Sequence, residues 1–152
     1  MLKNITMNGI HMQEDSSLTI LDVARKHGID IPTLCFLKKD DCNFVHRPAS
    51  CRVCIVEVKG RRNLSPACAT YIEEGMEILT NSYKVRQERK NIVELLLSNH
   101  PNACLTCRKS GDCELQALSA KLGVSNNLEF AGPLSFLPPG IGCPGLQCLT
   151  SA

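Results

Sequence analysis

Apolar and polar residues alternate over residues 2–14 around the dipeptide Asn8-Gly9. A period of two marks a half-buried strand, and Asn-Gly tolerates the left-handed backbone of a tight turn, so two antiparallel strands joined by a hairpin are predicted. Thr19 then stands three residues before Asp22 in a capping-box-like start. Ile20, Leu21, Val23 and Ala24 supply the apolar face of a short helix that stops at Gly28. Between Cys35 and Cys54 neither the strand nor the helix period is sustained, which predicts a loop. A loop that long in a small domain needs something to order it. Residues 54–58, CIVEV, are rich in β-branched side chains and predict a strand; residues 59–63 turn, residues 64–67 return, and residues 76–79 alternate once more after Glu74-Gly75.

From residue 81 the period changes to that of a helix. Asn81-Ser82 offers an N-cap for a helix over residues 83–99, with Val85, Ile92, Val93, Leu95, Leu96 and Leu97 on a broad apolar face. Pro101 closes it, because proline lacks the N–H that continuation needs. Residues 114–122 predict a further helix stopped by Gly123, and residues 125–152, with Asn126-Asn127, Pro138-Pro139 and almost no charge, read as an extended tail. Strand, strand, helix is the opening of a β-grasp fold. The expected class is therefore α+β, with a β-grasp domain over residues 1–80, a small helical domain over 81–124 and the tail over 125–152.

Charge and composition narrow the function classes. The chain of 152 residues carries 17 Lys+Arg against 15 Asp+Glu, net +2, and its basic residues are not interleaved with stacking aromatics, so nucleic acid is not expected as a partner. Lys38-Lys39, Arg61-Arg62 and the group Lys84, Arg86, Arg89 and Lys90 are read as solvated faces, with docking to an acidic protein patch as the sharper alternative. No run of about 18 apolar residues is present, so no spanning helix is expected. The N-terminal residues lack the apolar core of a secretory signal, which points to the cytoplasm. Thiols there stay reduced, and ten cysteines then indicate metal or redox work rather than disulfides.

Those cysteines fall into two sets. The first is Cys35-x15-Cys51-x2-Cys54-x13-Cys68, in which the Cys-x2-Cys pair and two distant thiols can complete a single-metal site or a two-iron cluster. Cys42 lies in the same loop and competes with Cys35 for the first position; Cys35 is preferred because it follows a regular entry segment. The second is His100-x3-Cys104-x2-Cys107-x5-Cys113. Three thiolates and a neutral imidazole place one less negative charge on a metal centre than four thiolates do, which favours its reduced state. Zinc is the alternative for either set, and a zinc-stabilised interaction module the corresponding function. His11 and His27 are expected at the surface, and His46 in the first loop beside the ligands. Cys143-x4-Cys148 in the tail does not form a ferredoxin ligand run. No phosphate loop, nucleophile elbow or zinc-hydrolase motif is present, so the chain reads as a holder of redox centres with no turnover of its own.

IPTLC at 31–35, ASCRVCIVEVKG at 49–60, PAC at 66–68, EEGM at 73–76 and ELLLSNHPNACLTCRKSGDCELQ at 94–116 carry a resemblance. Over about residues 1–124 the chain resembles the N-terminal iron–sulfur region shared by [FeFe]-hydrogenase large subunits, the large iron–sulfur subunit of respiratory complex I and the small diaphorase subunit of NAD-linked hydrogenases. That resemblance implies a [2Fe-2S] cluster on Cys35, Cys51, Cys54 and Cys68 in a plant-ferredoxin-like domain. It implies a [4Fe-4S] cluster on His100, Cys104, Cys107 and Cys113. It further implies an electron-transfer subunit of a hetero-oligomeric NAD(P)H-oxidising or hydrogenase complex, electron-bifurcating complexes included. The expected neighbours are a flavin-containing NAD(P)H-oxidising subunit and a small thioredoxin-like [2Fe-2S] subunit. A truncated N-terminal fragment of an [FeFe]-hydrogenase is the alternative. The loop between Cys35 and Cys51 is longer than the family usually shows, and relatives normally continue into further ligand sets.

Overall fold

The computed structural model describes residues 1–36, 48–101 and 103–124. Cys42, His46, Cys143, Cys148 and the expected tail lie outside the described residues.

The hairpin forms where the alternation placed it. Strands β1 (Leu2–Met7) and β2 (Ile10–Asp15) pair antiparallel with Met7 opposite Ile10, leaving Asn8 and Gly9 as a two-residue turn at φ of 52° and 87°. Both angles are left-handed, as a two-residue hairpin turn requires, and Asn and Gly are the residues that adopt them most cheaply. Along β1 the side chains of Ile5 and Met7 face inward and are buried. Helix α1 (Ile20–Lys26) then starts at Thr19, whose side chain accepts from the Asp22 N–H while the Asp22 carboxylate accepts from the Thr19 N–H. This reciprocal cap satisfies two otherwise orphaned donors, and the helix buries Ile20, Leu21, Val23 and Ala24 against the sheet.

Among the described residues the remaining strands are β3 (Ile55–Val58), β4 (Ser65–Pro66) and β5 (Met76–Leu79). The sheet runs β2-β1-β5-β3-β4, with β5 parallel to β1 and every other pairing antiparallel. The returning strand expected over residues 64–67 contracts to two residues. It is an edge strand, and Pro66 has no N–H to give a further neighbour. One core unites Ile5, Met7, Val56, Val58, Ile72 and Ile78 with the inner face of α1.

Helix α2 (Tyr83–Ser98) begins at Ser82, whose hydroxyl accepts from the Val85 N–H at 3.3 Å, and helix α3 (Glu114–Leu122) ends at Gly123 with φ of 65°. Two sequence expectations for α2 are corrected. Leu95 is 73% exposed because the face that packs is Val85, Arg89, Val93 and Leu97, one narrow stripe at helical spacing. Arg89, expected on a solvated face, is 4% exposed, and its Nη2 donates to the Ile55 carbonyl at 2.7 Å. A second core joins α2 and α3 to the loop before β3: Val53, Val93, Leu97, Leu118 and Val124 are buried together, with Leu34 and Cys51 packed against them. An ion pair from Lys121 on α3 to Asp30 ties the same parts at the surface.

The other expectations for histidines meet the structure as follows. His11 is exposed, with Nδ1 2.9 Å from the Thr6 hydroxyl. His27 lies beside Glu14, its Nε2 2.7 Å from the carboxylate, while the Lys26 ammonium donates to the same carboxylate at 2.7 Å. Glu14 is thereby a buried acid with two basic neighbours; hydrogen bonds from Lys26 and then His27 hold its carboxyl below the usual value despite burial. Among the described residues no helix is long and apolar enough to cross a membrane.

Candidate metal centres

The first ligand set is assembled by the sheet. Cys54 immediately precedes β3, Cys68 lies in the turn two residues after β4, and the register of β3 with β4 brings the two segments side by side: the Ala67 N–H donates to the Cys54 carbonyl at 3.0 Å. Cys35 and Cys51 come from the two ends of the long loop, where Leu34 and Cys51 pack on the second core. Cys54 and Cys68 are buried, at 1% and 3% exposure; Cys35 and Cys51 are half-buried.

The four thiols meet as two pairs. Burial pushes the Cys35 thiol up, but hydrogen bonds from the Cys51 backbone and thiol and from the Ser50 N–H outweigh it and leave Cys35 below its ordinary value. Burial raises Cys51, and its donation to Cys35 raises it further, against backbone N–H donors from Val53 and Leu34. Cys54 is pushed up to about 12, first by burial and then by donating to Cys68 and by the neighbouring thiols Cys68 and Cys51, against a backbone N–H donor from Cys68. The Ala49 N–H donates to the Cys68 sulfur at 3.1 Å. Backbone donors therefore point at every one of the four sulfurs.

That convergence of N–H groups has a backbone origin. Ala49 and Arg52 flank Cys51 at φ of 64° and 60°, a left-handed conformation that non-glycine residues adopt only under constraint. Turning two residues of one short loop this way forms a concave array of amides, which is an anion-binding surface. Four thiolates around iron are such an anion. The residues present fit a cluster held by two thiolates per iron, and the sulfurs already carry the hydrogen bonds that stabilise a reduced, more negative centre. Among the described residues no three His, Cys, Asp or Glu side chains converge on a single-ion position.

The second set is spaced along the connection from α2 to α3. His100 follows the α2 cap Asn99, Cys104 opens a single 3-10 turn (Cys104–Thr106), Cys107 caps that turn, and Cys113 is the residue before α3. These side chains are exposed or half-exposed, and the structure does not bring them to one point. Two local features suit ligation. The His100 Nδ1 lies 3.0 Å from the Pro101 carbonyl. A carbonyl can only accept, so this contact suits the neutral tautomer with the proton on Nδ1, whose Nε2 lone pair is free for a metal. Cys113 occupies the N-cap position of α3 without using its thiol as a cap, at the helix end that favours negative charge. Three soft thiols with one imidazole are a donor set that iron–sulfur chemistry accepts.

Arg89 and the positive-φ residues Ala49 and Arg52 are the parts of the site that sequence reasoning missed. No residue-type signal marks Ala or Arg as left-handed. Arg89 had one: it lies four residues after Val85 and four before Val93, on the buried stripe.

A sheet-borne set of four paired thiols followed by a helical segment with one imidazole and three thiols defines an iron–sulfur protein with two cluster regions. The comparisons give the family. The 2Fe-2S iron-sulfur cluster binding domain matches residues 3–83, and the NADH-ubiquinone oxidoreductase-G iron-sulfur binding region matches residues 89–127. The chain belongs to this iron–sulfur family of NAD-linked hydrogenase and complex I subunits, with one 2Fe-2S and one 4Fe-4S cluster as its cofactors. It is 47% identical over 131 residues to the NADP-reducing hydrogenase subunit HndD of Solidesulfovibrio fructosivorans, covering 86% of this chain and 22% of that one. It is 37% identical over 114 residues to the NAD-reducing hydrogenase HoxS subunit gamma of Cupriavidus necator, covering 75% and 46%. Among solved structures, an NAD+-reducing [NiFe]-hydrogenase in the H2-reduced state superposes with a TM-score of 0.69 at 30% identity, over 81% of this chain and 50% of that one. The chain thus spans less than half the length of these two curated relatives.

Proposed function

We propose that this chain is an electron-relay subunit of an NAD(P)-linked hydrogenase or complex I-like assembly, passing single electrons between two clusters of its own. In this reading Cys35, Cys51, Cys54 and Cys68 hold the [2Fe-2S] cluster on a β-grasp, plant-ferredoxin-like unit over residues 1–80. His100, Cys104, Cys107 and Cys113 hold the [4Fe-4S] cluster on the helical unit over 81–124. The bound clusters supply one-electron chemistry; the chain's own residues position them, exclude water and set their charge environment. The observation that carries the reading is the pairing of the four buried and half-buried thiols inside a loop lined by backbone N–H donors. The order β2-β1-β5-β3-β4, with β5 parallel to β1 and α1 between them in sequence, supports the β-grasp assignment. The second core supports a relay, because Cys51 and Val53 from the first ligand loop pack on the two helices that bracket the second set.

A relay needs an electron source and an acceptor. By the family resemblance the neighbours are a flavin-containing NAD(P)H-oxidising subunit and a small thioredoxin-like [2Fe-2S] subunit in the same hetero-oligomer, with electron bifurcation as one form such an assembly takes. The test is anaerobic purification of the native complex with EPR and metal analysis. Two cluster signals and about six irons per chain, the sum of a two-iron and a four-iron cluster, are expected. Stoichiometric zinc with no visible absorption would sink the proposal.

A further inference from the structure

Arg89 is buried deeply enough to demand a partner. It is 4% exposed, its Nη2 donates to the Ile55 carbonyl, and its Nε has no hydrogen-bond partner among the described residues. The β3–β5 pairing stops at Glu57 opposite Leu79, and Arg89 caps the strand carbonyl beyond that point. A neutral donor would cap it at far lower desolvation cost, because an ion removed from water is tolerated only opposite a counter-charge. Burial lowers the pKa of the Arg89 guanidinium, and Cys54, once ionised, and then Asp30 oppose that by attracting the charge. Asp30 is already paired with Lys121 at the surface. Cys54 is the buried thiol directly before Ile55, and it belongs to the first ligand set.

We propose that Arg89 is the buried counter-charge of the two-iron site, a positioning residue whose fixed positive charge, anchored one residue after Cys54, favours the reduced cluster. This rests on the assignment of Cys54 as a cluster ligand. On reduction one electron arrives from a one-electron donor, such as a reduced flavin in the assembly or dithionite in a titration. The centre then gains one unit of negative charge. A cation held nearby in a low-dielectric site stabilises that more negative state over the oxidised one, and the potential rises.

The experiment is an EPR-monitored dithionite titration of the full chain and of its Arg89→Gln, Arg89→Met and Arg89→Lys variants. At a fixed applied potential, Gln and Met are expected to lower the reduced-to-oxidised ratio of the two-iron cluster at least tenfold, about 59 mV for a one-electron couple. Lys, which keeps the charge, stays close to the parent. The four-iron signal in the same samples serves as the internal reference and moves less. If both neutral variants fail to hold the two-iron cluster while Lys retains it, the same requirement for charge is met. An unchanged potential in Gln and Met, or a Lys variant that shifts or loses the cluster as they do, overturns the proposal, because packing alone then explains Arg89. A parent chain without any two-iron signal would instead remove the ligand assignment beneath it, before any variant is compared.

Discussion

Truncating Leu97 to Ala tests whether the two ligand regions share one folded frame. Leu97 lies in the last turn of α2, is 7% exposed and is buried with Val53, Val93, Leu118 and Val124. Val53 directly precedes Cys54, and Leu97 stands three residues before His100, so this one side chain joins the neighbourhoods of both sets. Leu→Ala removes three carbons, worth about 0.8 kcal/mol each by transfer, and the cavity left behind brings the expected loss to about 3 kcal/mol. The better helix propensity of Ala returns only a few tenths of that, roughly 0.2 kcal/mol. Urea unfolding of the metal-free full chain measures it: with a slope of about 2 kcal/mol/M the midpoint should fall by about 1.5 M. In the loaded protein both cluster signals should weaken together. A midpoint shift below about 0.3 M on the same slope would refute the packing argument. Loss of the four-iron signal beside an unaltered two-iron signal would refute the shared frame.

Glu14→Gln should flatten the acid limb of stability. Hydrogen bonds from Lys26 and His27 hold the Glu14 carboxyl below its ordinary value in the folded chain, so its contribution is present above the unfolded value and is lost as pH falls through the folded one. Urea midpoints at neutral pH and at pH about 3 should therefore lie closer together in the variant than in the parent, and an unchanged gap would count against the Glu14 pairing. Ser82→Ala removes the α2 N-cap acceptor of the Val85 N–H and should cost about 1 kcal/mol in the same unfolding assay. His100→Cys should keep a four-iron cluster while lowering its potential, since a thiolate adds negative charge where a neutral imidazole stood; an unchanged potential and EPR signal would show that His100 is not a ligand.

The local elements were legible because each carried its own chemistry. Asn8-Gly9 has the only residue pair near it that suits two left-handed angles, Thr19 and Asp22 cap each other, and Gly123 closes α3, so hairpin and helix ends could be placed without knowing the rest of the chain. What the one-dimensional pattern lacked was the decision about which of several apolar residues face inward. Leu95 and Leu97 look alike in sequence, yet one is on the solvent side of α2 and the other in the second core, because only a narrow stripe of the helix meets Val53 and Leu118. Arg89 was misplaced for the converse reason. A charge is assigned to the surface by default, and the buried position of Arg89 is set by a strand carbonyl that arrives from more than thirty residues earlier in the chain.

The two ligand sets were equally visible as spacings, but the fold supports them differently. Cys54 and Cys68 are fixed by strand pairing, and amides presented by left-handed Ala49 and Arg52 line the loop around Cys51, so long-range contacts supply that geometry. Between His100 and Cys113 the backbone bonds are short-range turns: Thr106 N–H to Ala103, Cys107 N–H to Cys104, Ser110 N–H to Cys107 and Asp112 N–H to Lys109. Turns of this kind order the chain locally without fixing where four side chains meet, so more of the final geometry of the second site has to come from ligation itself. On the proposed ligand assignment, metal binding and folding should then be more tightly coupled at His100–Cys113 than at Cys35–Cys68. Chelation should accordingly loosen the connection between α2 and α3 before it disturbs the sheet, with amide exchange rising first over residues 100–113 and only later in β3.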